Sequence, residues 1–322
     1  MYNNRAVRHA LSLLLIVLLP GLMPALHAAS TTVTVTTLLL YNNTVVNGTY
    51  TGPVGGANWQ LTSAVYDPTT GLIYALNPPL KAVAVFSPSN YTYLGSFRVG
   101  LSPVWIGLNP NGTIYVSDSQ AGTVDLIDPS TWKVFDAIFV GGSPGIFVYN
   151  PSNGYLYVAN NLGNNNYVVQ VVGPHGVVSS IPLPGAPSWI TYDPANNYVL
   201  VTTNAGVFAI KGFKVVHNYT SAYYRGIYTA FPQFLLVNPD TGAIYGVNSL
   251  VLGYGVTYTN VFVFSPSNLS VVKYFQIRPA IVPLSSAVYL NGRIYLLAGS
   301  QIYYINPTNG SYGVVLSFSP VT

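Results

Sequence analysis

The sequence predicts an all-β fold built from repeated four-stranded antiparallel sheets. Only 6% of its 322 residues are charged, while Tyr, Gly and Pro number 27, 30 and 24. Tyrosine favours strands, and Gly and Pro favour turns. A turn motif also recurs at regular intervals, as described below. The low charge excludes a nucleic-acid binder with a basic stripe and a charge-rich disordered chain. The absence of Cys excludes disulfides and thiol chemistry.

The amino terminus has the pattern of an export signal. Two arginines precede the apolar run 11–23, and small residues follow it. The run is shorter than the roughly 20 residues of a membrane-spanning helix. We therefore expect residues 1–29 to be a signal peptide cleaved after Ala28 or Ala29, and the mature chain to be extracellular or at the cell surface. A retained membrane anchor is the alternative.

One turn motif recurs about every 42 residues. Its prolines are spaced by 42, 41, 43 and 45 residues, and they are Pro68, Pro110, Pro151, Pro194 and Pro239. Each copy places an Asp-Pro or Asn-Pro turn between two strand-like runs. A second series of turns, such as 127–133, falls between the copies, so that each period holds four strands. This is the blade of a β-propeller.

We expect residues 30–322 to form a single β-propeller domain. Its length favours seven blades, and six is the alternative. The extra hairpin lies at 34–56, so residues 30–58 are predicted to be an amino-terminal half-blade or closure hairpin that pairs with carboxy-terminal strands. In a seven-bladed fold, 305–311 would be the inner hairpin of the last blade. A third option is that the spare hairpin completes a neighbouring copy.

The run 114–161 resembles the YVTN-repeat β-propellers, and LYVAN at 156–160 is the nearest copy of their motif. The resemblance is recognisable from about 59 to 203 and weakens after that range. It implies an exported or surface-layer-associated protein, often with seven blades. Because the family motif is structural, the resemblance implies no catalytic residues.

N-x-S/T sequons are frequent in the predicted mature chain. They are candidate glycosylation sites if the protein is exported. The seven asparagines are Asn42, Asn47, Asn90, Asn111, Asn218, Asn268 and Asn309.

The acidic residues are all Asp, and most fit a structural role. Four lie in proline turns, where an Asp side chain bonds nearby backbone amides: Asp67, Asp128, Asp193 and Asp240. No pair among the other three, Asp118, Asp125 and Asp136, occupies equivalent positions in neighbouring copies, so general acid–base catalysis has few candidates.

We also expect no metal centre and no cofactor. The histidines are isolated, and zinc needs three or four converging ligands. Calcium held by the Asn-rich loop 159–166 is the alternative.

The long irregular segments 161–166, 218–234 and 249–260 are predicted to share one face, because each follows a second or fourth strand. Function on a repeat scaffold usually lies in such loops. The middle segment is the most aromatic. Its candidate binding residues are Tyr219, Tyr223, Tyr224, Arg225 and Tyr228. An alternative is that this loop folds back onto the blades.

These patterns predict an exported, non-catalytic propeller used for binding or assembly at the cell surface. The expected partner is a cell-surface protein, a carbohydrate or another copy of the chain, and not a nucleic acid. The alternatives are a propeller enzyme of lactonase-like or quinoprotein-like type, and a purely structural subunit of a surface layer or filament.

Overall fold

The chain is built almost entirely of β-strands. A computed structural model describes residues 14–18, 32–41, 44–53, 61–88, 92–251, 257–299 and 301–317. The helical element in these ranges is the single 3-10 turn Pro78–Leu80. None of the described residues forms a helix with the length and apolarity needed to cross a membrane.

A three-stranded antiparallel sheet precedes the repeats. The middle strand Thr32–Tyr41 pairs with both Leu14–Leu18 and Thr44–Pro53. This sheet covers most of the range in which the spare hairpin, 34–56, is expected. Its pairing with carboxy-terminal strands and the cleavage of the export signal stay predictions.

Residues 63–317 form six four-stranded antiparallel sheets, here called blades 1 to 6, whose strands follow one another in the chain. Blade 1 comprises Ser63–Asp67, Leu72–Asn77, Ala82–Phe86 and Tyr93–Arg98; blade 2 comprises Pro103–Leu108, Ile114–Asp118, Thr123–Asp128 and Lys133–Phe139; blade 3 comprises Ser143–Asn150, Tyr155–Asn161, Tyr167–Gly173 and Gly176–Pro182. Blade 4 comprises Pro187–Asp193, Tyr198–Thr203, Gly206–Lys211 and Lys214–Tyr219; blade 5 comprises Phe234–Val237, Ile244–Val251, Thr257–Phe264 and Val271–Ile277; blade 6 comprises Leu284–Leu290, Arg293–Ala298, Gln301–Ile305 and Tyr312–Ser317.

The predicted fold class is thus confirmed, and six complete blades account for 63–317. The turn 305–311 connects the third and fourth strands of blade 6, so its assignment to the inner hairpin of a further blade was wrong. The described residues divide into two compact units, of which the first ends at Gly145 and the second begins at Ile146.

The recurring proline turn is held by the side chain that precedes the proline. Asp67 accepts hydrogen bonds from the backbone N–H of Thr69 at 2.9 Å and from the Thr70 hydroxyl at 2.8 Å. In blade 5 the acceptor is Asn238, which bonds the backbone N–H of Asp240 at 3.0 Å. The prediction that the Asp240 side chain holds this turn was therefore wrong.

The core of each unit lies between successive blades. Second strands such as Leu72–Asn77 are buried along almost their whole length, because both faces of the sheet are covered. In the first unit, Tyr74 and Val83 of blade 1 share a cluster with Ile106 and Val116 of blade 2. In the second unit, equivalent clusters join blade 3 to 4, blade 4 to 5 and blade 5 to 6.

Tyrosines in the second strands connect blades through hydrogen bonds as well as through packing. The Tyr74 hydroxyl donates to the carbonyl of Pro129 at 3.0 Å. The equivalent Tyr157 hydroxyl donates to the carbonyl of Gly212 at 2.9 Å. A buried phenol needs such a partner, and here the partner is the outer turn of the next blade.

Every blade carries a register shift between its third and fourth strands. The shifts lie at 85/86, 126/127, 171/172, 209/210, 263/264 and 302/303. The fourth strand is the edge of its sheet and carries exposed apolar side chains such as Phe135, which is 60% exposed. A bulge beside an edge strand increases the local twist and disrupts regular pairing.

Candidate recognition site

The segment 218–234 connects blade 4 to blade 5 and contains a small hairpin. Its strands are Tyr223–Tyr224 and Ile227–Tyr228, which pair antiparallel. Arg225 and Gly226 form the turn with φ values of 50° and 80°. Two central residues with positive φ are typical of the type I′ hairpin turn. We call residues 222–229 the recognition hairpin.

The tip of the recognition hairpin is exposed. Tyr223 is 58% exposed and Tyr228 is 42% exposed. Their rings meet edge to face, with centroids 5.3 Å apart. Arg225 is also exposed. It adopts a left-handed backbone conformation that is uncommon for residues other than Gly, Asn and Asp.

The base of the recognition hairpin is fixed to blade 5 by two buried asparagines. Asn248 Nδ2 donates to the carbonyls of Thr229 at 2.9 Å and Phe231 at 2.7 Å. Asn260 Nδ2 donates to the Thr229 carbonyl at 3.1 Å. Thr229 and both asparagines are buried, so the two bonds to the Thr229 carbonyl give a partner to a group that water does not reach.

The same asparagines continue a polar network towards the edge of blade 5. The Tyr274 hydroxyl donates to Asn260 Oδ1 at 2.6 Å, and Gln276 Nε2 donates to the same oxygen at 3.3 Å. Burial raises the pKa of Tyr274 to about 12. Its hydroxyl therefore stays protonated, and able to donate, across the physiological pH range.

The five predicted binding residues divide into exposed and supporting groups. Tyr223, Arg225 and Tyr228 form the exposed tip. Tyr219 packs against Phe264 with centroids 5.3 Å apart, and burial raises its pKa. Tyr224 is half-buried, and its ring centroid lies 5.0 Å from that of Tyr274. The segment thus both folds back at its base and projects at its tip.

Sequence reasoning missed the two asparagines that fix the hairpin. Asn248 occupies the position of the final Asn in LYVAN, and the residues at this position are buried and polar in five of the six blades: Asn77, Asp118, Asn160, Thr203 and Asn248. Asn260 pairs with Asn248 in register on the next strand. An alignment of the internal repeats on the motif tyrosine would have revealed the buried position.

The other two segments predicted to be irregular differ from the hairpin. Both ends of 249–260 are strand, because Ile244–Val251 and Thr257–Phe264 extend into it, and 252–256 lie outside the described residues. The prediction that the whole of 249–260 is irregular was therefore wrong. The turn at 161–166 is closed internally, with the Gly163 N–H donating to Asn161 Oδ1 at 3.0 Å.

Asp118 and Asp125 are both buried in blade 2, on neighbouring strands. Asp118 accepts hydrogen bonds from four backbone N–H groups: Leu101, Ser102, Gln120 and Ala121. Burial alone would raise its pKa, but these donors hold the pKa below the usual value.

For Asp125, burial raises the pKa, and the nearby Asp118 charge adds to the shift. Its side chain accepts from the Thr123 hydroxyl at 3.0 Å. The sequence did not predict this pairing of carboxylates. Asp136 is exposed on the edge strand of blade 2. Among the described residues, no three His, Cys, Asp or Glu side chains form a group that could hold a metal.

Four sequon asparagines are exposed: Asn111, Asn218, Asn268 and Asn309. Asn42 and Asn90 lie outside the described residues, and Asn47 lies in the strand Thr44–Pro53. Asn111, Asn268 and Asn309 are in hairpin turns, as the sequence predicts.

Known structures place the chain among β-propellers. No protein-family profile and no curated protein matches the sequence. The backbone is similar to that of a functionally unknown protein from Desulfotomaculum acetoxidans, with a TM-score of 0.66, 12% identity and coverage of 88% of this chain and 92% of that chain.

Two further similar structures are a lyase and a WD40 domain. Virginiamycin B lyase from Staphylococcus aureus, solved with quinupristin, has a TM-score of 0.62 and 12% identity over 82% of this chain and 84% of its own. The Pan2 WD40 domain from Neurospora crassa has a TM-score of 0.58 and 14% identity over 80% and 78%. At such identities the similarities establish the fold alone, and that fold is the β-propeller.

Proposed function

We propose that the chain is an exported, non-catalytic β-propeller of the YVTN-repeat type that acts in binding or assembly at the cell surface. The recognition hairpin is its binding element. The observation that carries the proposal is the combination of an exposed aromatic tip, at Tyr223 and Tyr228, with a base fixed by Asn248 and Asn260.

This combination favours recognition because it reduces the entropy lost on binding. Tyrosine offers a large contact area with few rotatable bonds and a hydroxyl for hydrogen bonding. A loop that is already fixed before the partner arrives loses less conformational freedom than a mobile one. The motif LYVAN at 156–160 and the predicted export signal support the family and the location.

The positions of the carboxylates favour the proposed non-catalytic function over an enzymatic one. Asp118 is occupied by four backbone donors, and Asp136 lies on an exposed edge strand. A general acid–base pair needs carboxylates within reach of a substrate. Asp118 and Asp125 are close together but buried, and are best explained as structural groups of blade 2.

The test is the double variant Tyr223→Ala with Tyr228→Ala. Because both rings are exposed, the midpoint of thermal unfolding should change by only a few degrees. Retention of the protein on the surface of the producing cells should be lost. Tyr224 is left intact because it packs on Tyr274.

Phe135→Ala is the matched control, since Phe135 is a similarly exposed aromatic residue on another blade. The control should retain surface binding. Normal retention of the double variant would contradict the proposal, and so would a large loss of stability, which would assign the two rings to the core.

A further inference from the structure

We propose that the recognition hairpin and the edge of blade 5 together bind an acidic polysaccharide. This inference rests on the proposed function and names the class of its ligand. The surface, here called the tyrosine–arginine patch, consists of Tyr223, Tyr224, Arg225, Tyr228, Tyr274, Gln276 and Arg278.

Two exposed guanidinium groups bound the patch. Arg225 lies over the ring of Tyr224 at 5.3 Å, and Arg278 lies over the ring of Tyr258 at 5.5 Å. Stacking on a ring orients a planar guanidinium and leaves its N–H groups free for a ligand. Neither group forms an ion pair with a carboxylate in the described parts of the chain, although Arg278 donates to Gln276 Oε1 at 3.3 Å.

Contacts through tyrosines connect the two arginines. Tyr224 contacts Tyr274 with ring centroids 5.0 Å apart. Tyr274 and Arg278 are four residues apart on an extended chain, a separation of roughly 13 Å. Tyr258 is buried and connects Arg278 to the hairpin, because Arg278 lies over its ring and its hydroxyl donates to the Tyr228 carbonyl at 3.0 Å.

The charge around the patch is of one sign. The acidic side chains of the second unit, Asp193 and Asp240, lie in or beside the turns between first and second strands. Those turns are at the opposite ends of blades 4 and 5 from the patch. An anionic ligand therefore meets two cations and no carboxylate of these blades.

The chemistry of the patch favours an acidic sugar over other anions. The apolar faces of sugar rings pack on exposed aromatic rings, while phenol, amide and guanidinium groups bind hydroxyls and carboxylates. Two arginines are fewer than the 6–10 phosphate contacts of a typical nucleic-acid interface. Ile227 is the one exposed aliphatic side chain of the hairpin, which is little for the apolar centre of a protein interface.

The experiment titrates the mature protein calorimetrically with polygalacturonate at fixed ionic strength. The fully methyl-esterified polymer has the same rings without the charge, and polyphosphate has charge without rings. The patch variants are Arg225→Asn, which suits the left-handed turn position, and Arg278→Gln. The matched control is Arg293→Gln, because Arg293 is exposed and stacks over Tyr304 at 4.7 Å beside the first turn of blade 6.

Each patch variant should weaken polygalacturonate binding at least about tenfold, the loss expected for a charge-assisted hydrogen bond. Arg293→Gln should bind normally, and the ester and polyphosphate should bind at least about tenfold more weakly than the acid. The proposal is overturned if polygalacturonate does not bind, if either comparison polymer binds equally well, or if Arg293→Gln loses as much affinity as the patch variants.

Failure here is distinguishable from failure of the proposed function. Surface retention that depends on Tyr223 and Tyr228, but not on Arg225 or Arg278, keeps the recognition hairpin as the binding element and overturns the acidic ligand. If neither set of variants loses surface retention, both the acidic ligand and the proposed function are contradicted.

Discussion

The side-chain amide of Asn260 donates to the side-chain oxygen of Asn248 at 2.7 Å, between the second and third strands of blade 5. Both amides also donate to the Thr229 carbonyl. Buried polar networks whose members all have partners rigidify their surroundings. The recognition hairpin is thus attached through three mutually bonded groups, which makes its position sensitive to one side chain of the blade.

Replacing Asn248 by Ala should therefore loosen the recognition hairpin. The change leaves the Phe231 carbonyl without its Asn248 partner and the Thr229 carbonyl with one donor fewer. Stability should fall by about 1–3 kcal/mol, measured by urea unfolding. The Thr229 amide, which donates to the Ala222 carbonyl, should exchange its hydrogen faster. Asn268→Ala is the control, because Asn268 accepts from the Ser270 N–H in an exposed turn of the same blade. Water can replace that bond, so the loss should be about 0.5 kcal/mol, the low end for a hydrogen bond. Equal effects would contradict the role of Asn248.

Gly100 and Gly71 offer a comparison of steric clash with backbone strain. Both have positive φ, at 44° and 69°. A Cβ at Gly100 would collide with the buried Asp118 carboxylate, whereas a Cβ at Gly71 has nothing within 4 Å. Gly71→Ala should destabilise by about 1–2 kcal/mol from the left-handed backbone. Gly100→Ala should cost at least about 2 kcal/mol more, because it disturbs a carboxylate that binds four backbone donors. Similar unfolding midpoints in urea for the two variants would be inconsistent with this account.

Acid should not unfold the protein between pH 6 and about pH 3. Burial raises the pKa of Asp125 and Asp193, so the folded state takes up protons more readily than the unfolded chain. Stability therefore rises as the pH falls through their folded pKa values. For Asp118 the sign is opposite. Its pKa lies below the ordinary 3.8, so its contribution is present above that value and is lost as the pH falls further.

Two variants separate these contributions in thermal unfolding followed by circular dichroism. Asp125→Asn should raise the melting temperature at pH 7. It should also remove part of the increase in stability that the parent protein shows on acidification. Asp118→Asn should lower the melting temperature at pH 7, and its difference from the parent protein should shrink below about pH 3.8. A melting temperature of the parent protein that collapses between pH 6 and pH 3 would refute the prediction.

Glycans should map to the hairpin turns if the protein is exported and glycosylated. Asn111, Asn268 and Asn309 are exposed, and their turns project from the blades. Native protein should exceed its sequence mass, and glycopeptides should contain these three asparagines. Native material with unmodified turns would rule the prediction out.

The blades were predictable from sequence because their signals are local. An Asp-Pro or Asn-Pro turn is fixed within four residues, and the strand runs on either side alternate in the expected way. The prediction for 249–260 was wrong because the contacts that order this segment are not local. Ser249 and Thr259 lie on the paired strands, where their hydroxyls bond each other at 2.6 Å and Ser249 also donates to the Ile281 carbonyl at 2.8 Å. These contacts join residues 10 and 32 positions apart.

The aromatic character of the site was visible in sequence, but its architecture was not. The tyrosines of 218–234 indicate a contact surface without showing which rings are buried. Tyr219 packs on Phe264, which lies 45 residues later in the chain, and Tyr224 packs on Tyr274. Arg278 enters the patch only because the edge strand of blade 5 ends beside the hairpin. Such partners arise from blade packing, which a single sequence does not specify.

The bulge shared by all six blades has a consequence for a chain with so little charge. Many β-proteins keep their sheet edges from joining other chains with lysines, whose repulsion weakens in salt and depends on protonation. Here three of the six fourth strands carry an exposed lysine, at Lys133, Lys214 and Lys273. The same strands also expose apolar residues such as Phe135, and the bulge adds a backbone distortion to every edge. A backbone distortion is neither screened by salt nor changed by protonation. Part of the protection of these edges should therefore persist in brine, where the repulsion between lysines is screened.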